Sequence, residues 1–249
     1  MGYNTIALDH TIDGKIPAEI VNEIPNPLPF STPPSLRIIR RCTLHLTDTS
    51  QNHRLAHIAA AYDILAIRPT NETALGQALQ SLECDLVSLD LCQRFPFYFK
   101  HKSFSAALQR GIKLEICYAP GILNSDGGAS RRNLISNATQ LIRVTRGRGL
   151  VVSSEAKRAL ACRAPADVMN LTVMWGLAQE AAFEAVTRQA RNVVAQAEMK
   201  RSSFRGVISV VHGGVQPARP TGTEKKKKDD KTKAVNAKRK VDVTENGPA

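Results

Sequence analysis

Six short apolar runs, each followed by a stretch of helical periodicity, leave few folds open to this chain. The runs are Tyr3 to Leu8, Leu36 to Leu46, Asp63 to Ile67, Asp85 to Leu91, Lys113 to Tyr118 and Leu150 to Ser153. Runs this short and this apolar suit parallel strands covered on both faces. Helical stripes fill the gaps. Leu55 and Ile58 share a face. Leu75, Leu79 and Leu82 fall at i, i+4, i+7, with Thr70 as a candidate cap. Phe104, Ala107 and Leu108 precede a stop at Gly111, and Leu134, Ala138, Leu141 and Ile142 form a longer stripe. Pro165 suits the first turn of a helix carrying Val168, Leu171 and Trp175, with Gly176 past its end. Phe183, Val186, Ala190, Val193 and Ala197 line a last helix. Alternating strand and helix imply parallel βα units, hence an α/β fold.

Two segments break the pattern. Residues 16–35 hold six prolines, a density no regular helix survives, and read as an irregular surface loop in place of a helix. From Pro217 onward apolar residues nearly vanish, so residues 217–249 read as a disordered Lys-rich tail after a folded domain of 1–216. Six parallel strands suit either an open doubly wound sheet or most of a barrel. No GxGxxG follows a strand, so a dinucleotide site has no support.

Charge narrows the partners. The chain carries +12, of which the ten basic and five acidic residues from Ala218 to Ala249 account for +5 and the remainder for +7. A domain that is basic apart from its tail favours polyanions such as nucleic acid. No run of 18 apolar residues suggests a membrane span, and the first ten residues lack a secretory pattern. Met1-Gly2 would start a myristoylation signal only with Ser or Thr at position 6, which is Ile6. The cysteines Cys42, Cys84, Cys92, Cys117 and Cys162 are odd in number and never paired as CxxC, which disfavours disulfides or zinc.

In such a sheet, chemistry gathers at the C-terminal strand ends. Asp9, His10, His45, Asp48 and Asp90 stand near those ends and are candidates for a hydrolytic metal site, a weak signal without HxH, HExxH or GxSxG. Cations are more suggestive. Arg94, Lys100, His101 and Lys102 flank the aromatic run Phe95 to Phe99, a candidate core plug, protein dock or base-stacking platform. Arg131 and Arg132 open the long helix, Arg143, Arg146 and Arg148 close it, and Lys157, Arg158 and Arg163 follow the sixth strand. Arginine forks suit phosphate, although cations at a helix C-terminus also complement its dipole. Lys225, Lys226, Lys227 and Lys228, spaced from Lys238, Arg239 and Lys240, form a candidate bipartite nuclear import signal.

Five ordered blocks carry a resemblance: Arg94 to Lys102 (RFPFYFKHK), Ala106 to Tyr118 (AALQRGIKLEICY), Ser130 to Ser136 (SRRNLIS), Leu150 to Ala156 (LVVSSEA) and Arg163 to Leu171 (RAPADVMNL). In this order the chain closely resembles the thirty-kilodalton protein subunit family of nuclear ribonuclease P and ribonuclease MRP, in a fungal form, from about Gly2 to Val211. The resemblance implies a distorted TIM-like barrel and a non-catalytic, RNA-binding and scaffolding subunit. The holoenzyme removes 5′ leaders from precursor tRNA, and the MRP assembly also matures rRNA. It implies that the chain itself binds no cofactor and that Mg2+ acts on the partner RNA. The implied partners are a catalytic noncoding RNA, precursor tRNA, a small α/β subunit and other basic subunits, in the nucleus or nucleolus, with no membrane. By position it transfers an RNA-binding or assembly role to Lys100, His101, Arg110, Arg131, Arg132, Ser153, Ser154, Arg163 and Asp167, beside Arg94 and Lys102. Family members place a strand and helix before the Gly-Tyr that is Gly2-Tyr3 here. The barrel is therefore expected to lack its first strand and helix, as if translation began at an internal start, with an open sheet edge. The family also resembles barrel phosphoesterases, whose clustered histidines are missing here. A metal-dependent phosphoesterase is the alternative function.

Overall fold

The computed structural model describes residues 2–47, 52–124, 126 and 128–202. They lie in the compact unit Met1–Ser209, and the second unit, Val210–Ala249, falls outside them, with every candidate import residue from Lys225 to Lys240. Asp48 also lies outside the described residues.

Six strands form one parallel sheet: β1 (Thr5–Asp13), β2 (Arg37–Leu46), β3 (Ile64–Pro69), β4 (Leu86–Leu89), β5 (Lys113–Cys117) and β6 (Leu150–Ser153). Their spatial order is their chain order, β1 to β6. A doubly wound sheet reverses direction at a switch point, whereas this one never does, so the winding is that of a barrel. It stops short of closure, with β1 and β6 as edges: a curled half-barrel.

The two faces follow from strand alternation. On one, Leu44, Leu65, Ile67, Val87, Leu89, Leu114 and Ile116 meet the helices α1 (Leu55–Ala61), α2 (Glu72–Gln80), α3 (His101–Gln109) and α5 (Ala129–Thr145), with α4 (Ala119–Leu123) a short turn before α5. Leu55, Ile58, Leu75, Leu79, Phe104, Leu134 and Leu141 are the buried stripes of these helices, as their periodicity predicts. On the other face Ile39, Ile64, Ala66, Leu86 and Val151 form a second apolar cluster, and Val193 and Ala197 of α8 (Arg188–Ser202) cover it. α6 (Pro165–Met174) and α7 (Gln179–Val186) lead into α8.

The second face is concave. Arg41 of β2 grips Glu115 of β5 through both nitrogens of its fork. Neighbouring strands lie about 4.8 Å apart, so a flat sheet would hold these two strands roughly 14 Å apart. The contact requires curl. A helix, α8, therefore fills the lower part of this inner face.

Local readings hold with three corrections. Gly111 and Gly176 follow their helices with φ +84° and +99°, and Pro165 opens α6. The cap of α2 is Asn71, whose side chain accepts from the Ala74 N–H at 2.7 Å. Thr70 instead spends its N–H and hydroxyl on the Leu46 carbonyl, tying β3 to β2. The expected single last helix is two, α7 and α8. Thr187 leaves helical geometry (φ −111°, ψ −80°) and its hydroxyl donates back to the Phe183 carbonyl at 2.6 Å. β1 runs on to Asp13, so Asp9 and His10 lie inside a strand. The Pro-rich segment forms no helix or strand and is fastened to α1 and its flanks: Arg54 donates to the carbonyls of Ile16 and Ala18, and Asn22 to that of Ala61.

Candidate nucleic-acid interface

Above the apolar patch covered by α8, the inner face turns polar. Its register places Asp9 beside Arg41, Ser88 beside Glu115 and Cys117 beside Ser153. Glu115 is 1% exposed and Arg41 10% by side chain. Arg41 also reaches Asp9 at 3.3 Å, and the Thr43 hydroxyl donates to the same Asp9 carboxylate at 2.7 Å. Next to this cluster, Arg68 forks onto Glu155 at 2.5 and 2.8 Å and donates to Ser88 at 2.9 Å. Glu155 occupies the left-handed region, with φ +52°, directly after the Ser153-Ser154 step.

The electrostatics are self-contained. Burial alone would raise Glu115, but Arg41 and hydrogen bonds from Arg41, Ser88 and Ser153 more than offset it and hold it at about 2. Burial raises Asp9, opposed by Arg41 and Thr43. Burial also pushes the thiols up: Cys42 and Cys84 to about 12, and Cys117 well above its ordinary value. These cysteines are inert packing groups. On this stretch of the inner face the carboxylates of Asp9 and Glu115 share Arg41, and that of Glu155 is held by Arg68.

Asp48 lies outside the described residues, and the other four candidate metal-site residues do not converge. His10 faces the helical layer, where its Nδ1 meets the Tyr62 hydroxyl at 2.7 Å and its Nε2 lies 3.1 Å from Glu23. His45 pairs with Asp13, Asp9 with Arg41 and Thr43, and Asp90 accepts from the Cys92 N–H and Gln93. Among the described residues no group of three His, Cys, Asp or Glu side chains is placed to hold a metal ion.

The basic candidates divide into structural and free. Lys100 pairs with Glu72 at 2.9 Å, and Arg110 caps α2 through the carbonyls of Leu79 and Leu82. His101 bonds the Val144 carbonyl at the end of α5. Ser153 contacts Cys117 and Ser154 accepts from the Ala156 N–H. Arg163 is fixed by its backbone, which accepts from the Tyr3 hydroxyl and donates to that of Tyr118. Asp167 stands in the first turn of α6, where its charge suits the dipole. Arg94, Lys102, Arg131, Arg132 and the Arg163 guanidinium have no ion-pair partner among the described residues.

Arg131 and Arg132 are the most telling. α5 is 17 residues long and begins after Gly128 at φ +83°, which offers no side-chain cap and is followed by no acid in the first turn. Among the described residues the Asp126 carboxylate serves this end, accepting from the Ser130 N–H at 2.8 Å. Two exposed arginines here add to the positive end of the dipole, a placement costing roughly 0.3–1 kcal/mol each. Asn133 donates to the Cys92 carbonyl and Asn137 to those of Leu91 and Gln93, so the start of α5 is fastened to the segment leaving β4, which carries Arg94. The aromatic run is mostly core. Phe95, Phe97, Phe99 and Phe104 pack at 5.3–6.3 Å between centroids, leaving Tyr98, 84% exposed, as its one free ring.

The sequence profile of the RNase P subunit p30 family matches residues 1–202, the whole of the fold just described. The chain belongs to the RNase P subunit p30 family. It is 40% identical over 214 residues to the probable ribonuclease P protein subunit 3 of Schizosaccharomyces pombe, covering 85% of this chain and 88% of that one. It is 32% identical over 225 residues to the ribonuclease P protein subunit p30 of Mus musculus, covering 85% and 81%. A chain in the cryo-EM structure of archaeal ribonuclease P with mature tRNA shares the fold, with a TM-score of 0.60 at 14% identity, over 73% of this chain and 79% of that one. For a p30 family member, Arg41, Glu115 and Glu155 are the inner-face residues that sequence reading passed over. Local sequence does not single them out: Arg41 is one of three arginines in β2, Glu115 shares β5 with Lys113, and Glu155 follows β6.

Proposed function

We propose that the chain is a non-catalytic RNA-binding and scaffolding subunit of ribonuclease P, and of ribonuclease MRP, in the nucleus. In this reading it supports removal of the 5′ leader from precursor tRNA and, within the MRP assembly, rRNA maturation. Its partners are the catalytic noncoding RNA, precursor tRNA and a small α/β subunit, and Mg2+ serves the RNA. Import is assigned to Lys225–Lys228 with Lys238, Arg239 and Lys240. Membership of the p30 family supports the complex. The observation that carries RNA binding is the pair Arg131 and Arg132, exposed and free of carboxylate partners at the helix end where cations are least favourable. A phosphate there would gain both guanidiniums and the dipole. Arg94 and Arg163 extend the same reading, whereas Lys100 and Arg110 are assigned to holding the fold.

The test is the salt dependence of RNA affinity. Each phosphate contact on single-stranded RNA contributes about 0.7 to the log–log slope. Replacing Arg131 and Arg132 together by Ala is expected to flatten the slope by about 1.4. An unchanged slope would assign both arginines to structure. A phosphoesterase would require turnover by the purified chain with Mg2+, Mn2+ or Zn2+ that His45→Ala abolishes. The proposed subunit shows none.

A further inference from the structure

The other end of α5 opens on a second basic surface. One face of α3 presents His101, Ser105 and Leu108, and opposite it lies the turn from Val144 to Gly149, with Lys113 and Gln189 nearby. Together they line a groove of about 530 Å³, room enough for a nucleotide or two. It exists because the backbone is shaped for it. Gly149 sits at φ +64°, where a Cβ would meet Leu108 at 2.2 Å, and Arg146 is held left-handed at φ +56°. Arg146 takes this conformation as the left-handed cap of α5, where its N–H and that of Gly147 close onto the Arg143 and Ile142 carbonyls.

The cations of the groove are unspent, although His101 and Thr145 bond backbone carbonyls. Lys113, Arg146 and Arg148 have no ion-pair partner among the described residues, and no carboxylate lines the groove. Burial disfavours the charge of Lys113, and nothing nearby compensates it. The closest described acid bonded to a groove residue, Glu184, is already tied to Arg188 at 3.2 Å. Gln189 donates to that glutamate at 3.4 Å, but its amide oxygen is buried and has no hydrogen-bond partner. The C-terminus of α5 contributes roughly half a negative charge, well below the three cations. The groove thus asks for an anion that also donates a hydrogen bond and offers an apolar ring or sugar to Leu108 and Val144. A ribonucleotide within an RNA strand has all three.

We propose that this groove is a second RNA-binding surface, taking a phosphodiester on Lys113, Arg146 and Arg148 and a ribose 2′-hydroxyl on the Gln189 oxygen. It rests on the RNA-binding reading above and deepens it. Arg131 and Arg146 lie 15 residues apart along or just past α5, roughly 22 Å, so two separate segments of RNA would be held.

The test uses the full chain, a short single-stranded RNA of mixed sequence and its DNA counterpart. Arg146→Gly with Arg148→Ala removes two charges, and glycine suits the left-handed position. The salt slope on RNA is expected to flatten by about 1.4. Gln189→Leu is expected to weaken RNA roughly three- to tenfold and leave DNA unchanged. If the groove variant binds as the wild type does while Arg131→Ala with Arg132→Ala loses its slope, the groove proposal falls and the RNA reading stands. If the wild type binds no RNA, both fall. Equal losses on RNA and DNA with Gln189→Leu would overturn the ribonucleotide assignment. Displacement of the RNA by inorganic phosphate beyond that by chloride at equal ionic strength would make this a free-anion site.

Discussion

Glu115 sits in the middle of β5 with both oxygens gripped by Arg41. Neither residue reaches the helical layer, so the pair fixes how far β2 and β5 curl toward each other. Glu115→Gln leaves the Arg41 charge enclosed with only Asp9 beside it and should cost about 3 kcal/mol, lowering the melting temperature by roughly 10 °C in a domain of this size. Replacing both by apolar residues of similar volume should recover most of the loss. The pH dependence has a definite sign. The carboxyl ordinarily titrates at 4.5 and is held at about 2 in the fold. Its stabilisation is therefore complete above about 4.5 and lost as pH falls toward 2. Melting curves of Glu115→Gln should be flatter than wild type across that window. Equal slopes would mean the pair carries no linkage. The Arg41–Glu115 pair is not legible in the sequence, because pairing between strands three apart depends on curl, which no local pattern encodes.

α5 serves two ends at once. At its start, Arg131 and Arg132 oppose the dipole, so replacing both by Ala should raise thermal stability by about 0.5 kcal/mol each while weakening RNA. A structural role predicts the opposite sign, so thermal melts separate the two. α8 depends on one buried acid. Asp85, 4% exposed by side chain, accepts from the Leu65 N–H at 3.0 Å and pairs with Lys200 at 3.1 Å and Arg201 at 2.9 Å. Asp85→Ala should cost about 3 kcal/mol and raise hydrogen exchange in α8 ahead of the strands. Uniform exchange across the fold would contradict a local clamp. Asp85 opens an apolar run in the sequence, but its anchoring role is not legible there, since its partners on α8 lie more than 100 residues away. The break at Thr187 was likewise hidden, because an apolar stripe continues through it and only a hydroxyl bending back to Phe183 interrupts the helix.

For the described residues, the alternation of apolar runs and helical stripes locates every strand and, with α7 and α8 merged into one, every α-helix but α4. It could not choose between an open sheet and a barrel. The strand order decides that, and strand order follows from right-handed crossovers and curl rather than from any one segment. The basic balance outside the tail also resolves into places. Lys100 and Arg110 hold helices together, the inner-face arginines are neutralised, and Arg131, Arg132, Arg146 and Arg148 stand without ion-pair partners among the described residues at the two ends of α5. The central claim is that this half-barrel works by binding RNA inside a ribonucleoprotein. The most direct measurement is purification of the full chain from nuclear extract, with sequencing of the RNA recovered and assay of the eluate on precursor tRNA. The expected result is one abundant long noncoding RNA, several small basic proteins, and 5′-leader cleavage, all reduced by Arg131→Ala with Arg132→Ala. An eluate free of RNA and inactive on precursor tRNA would contradict it.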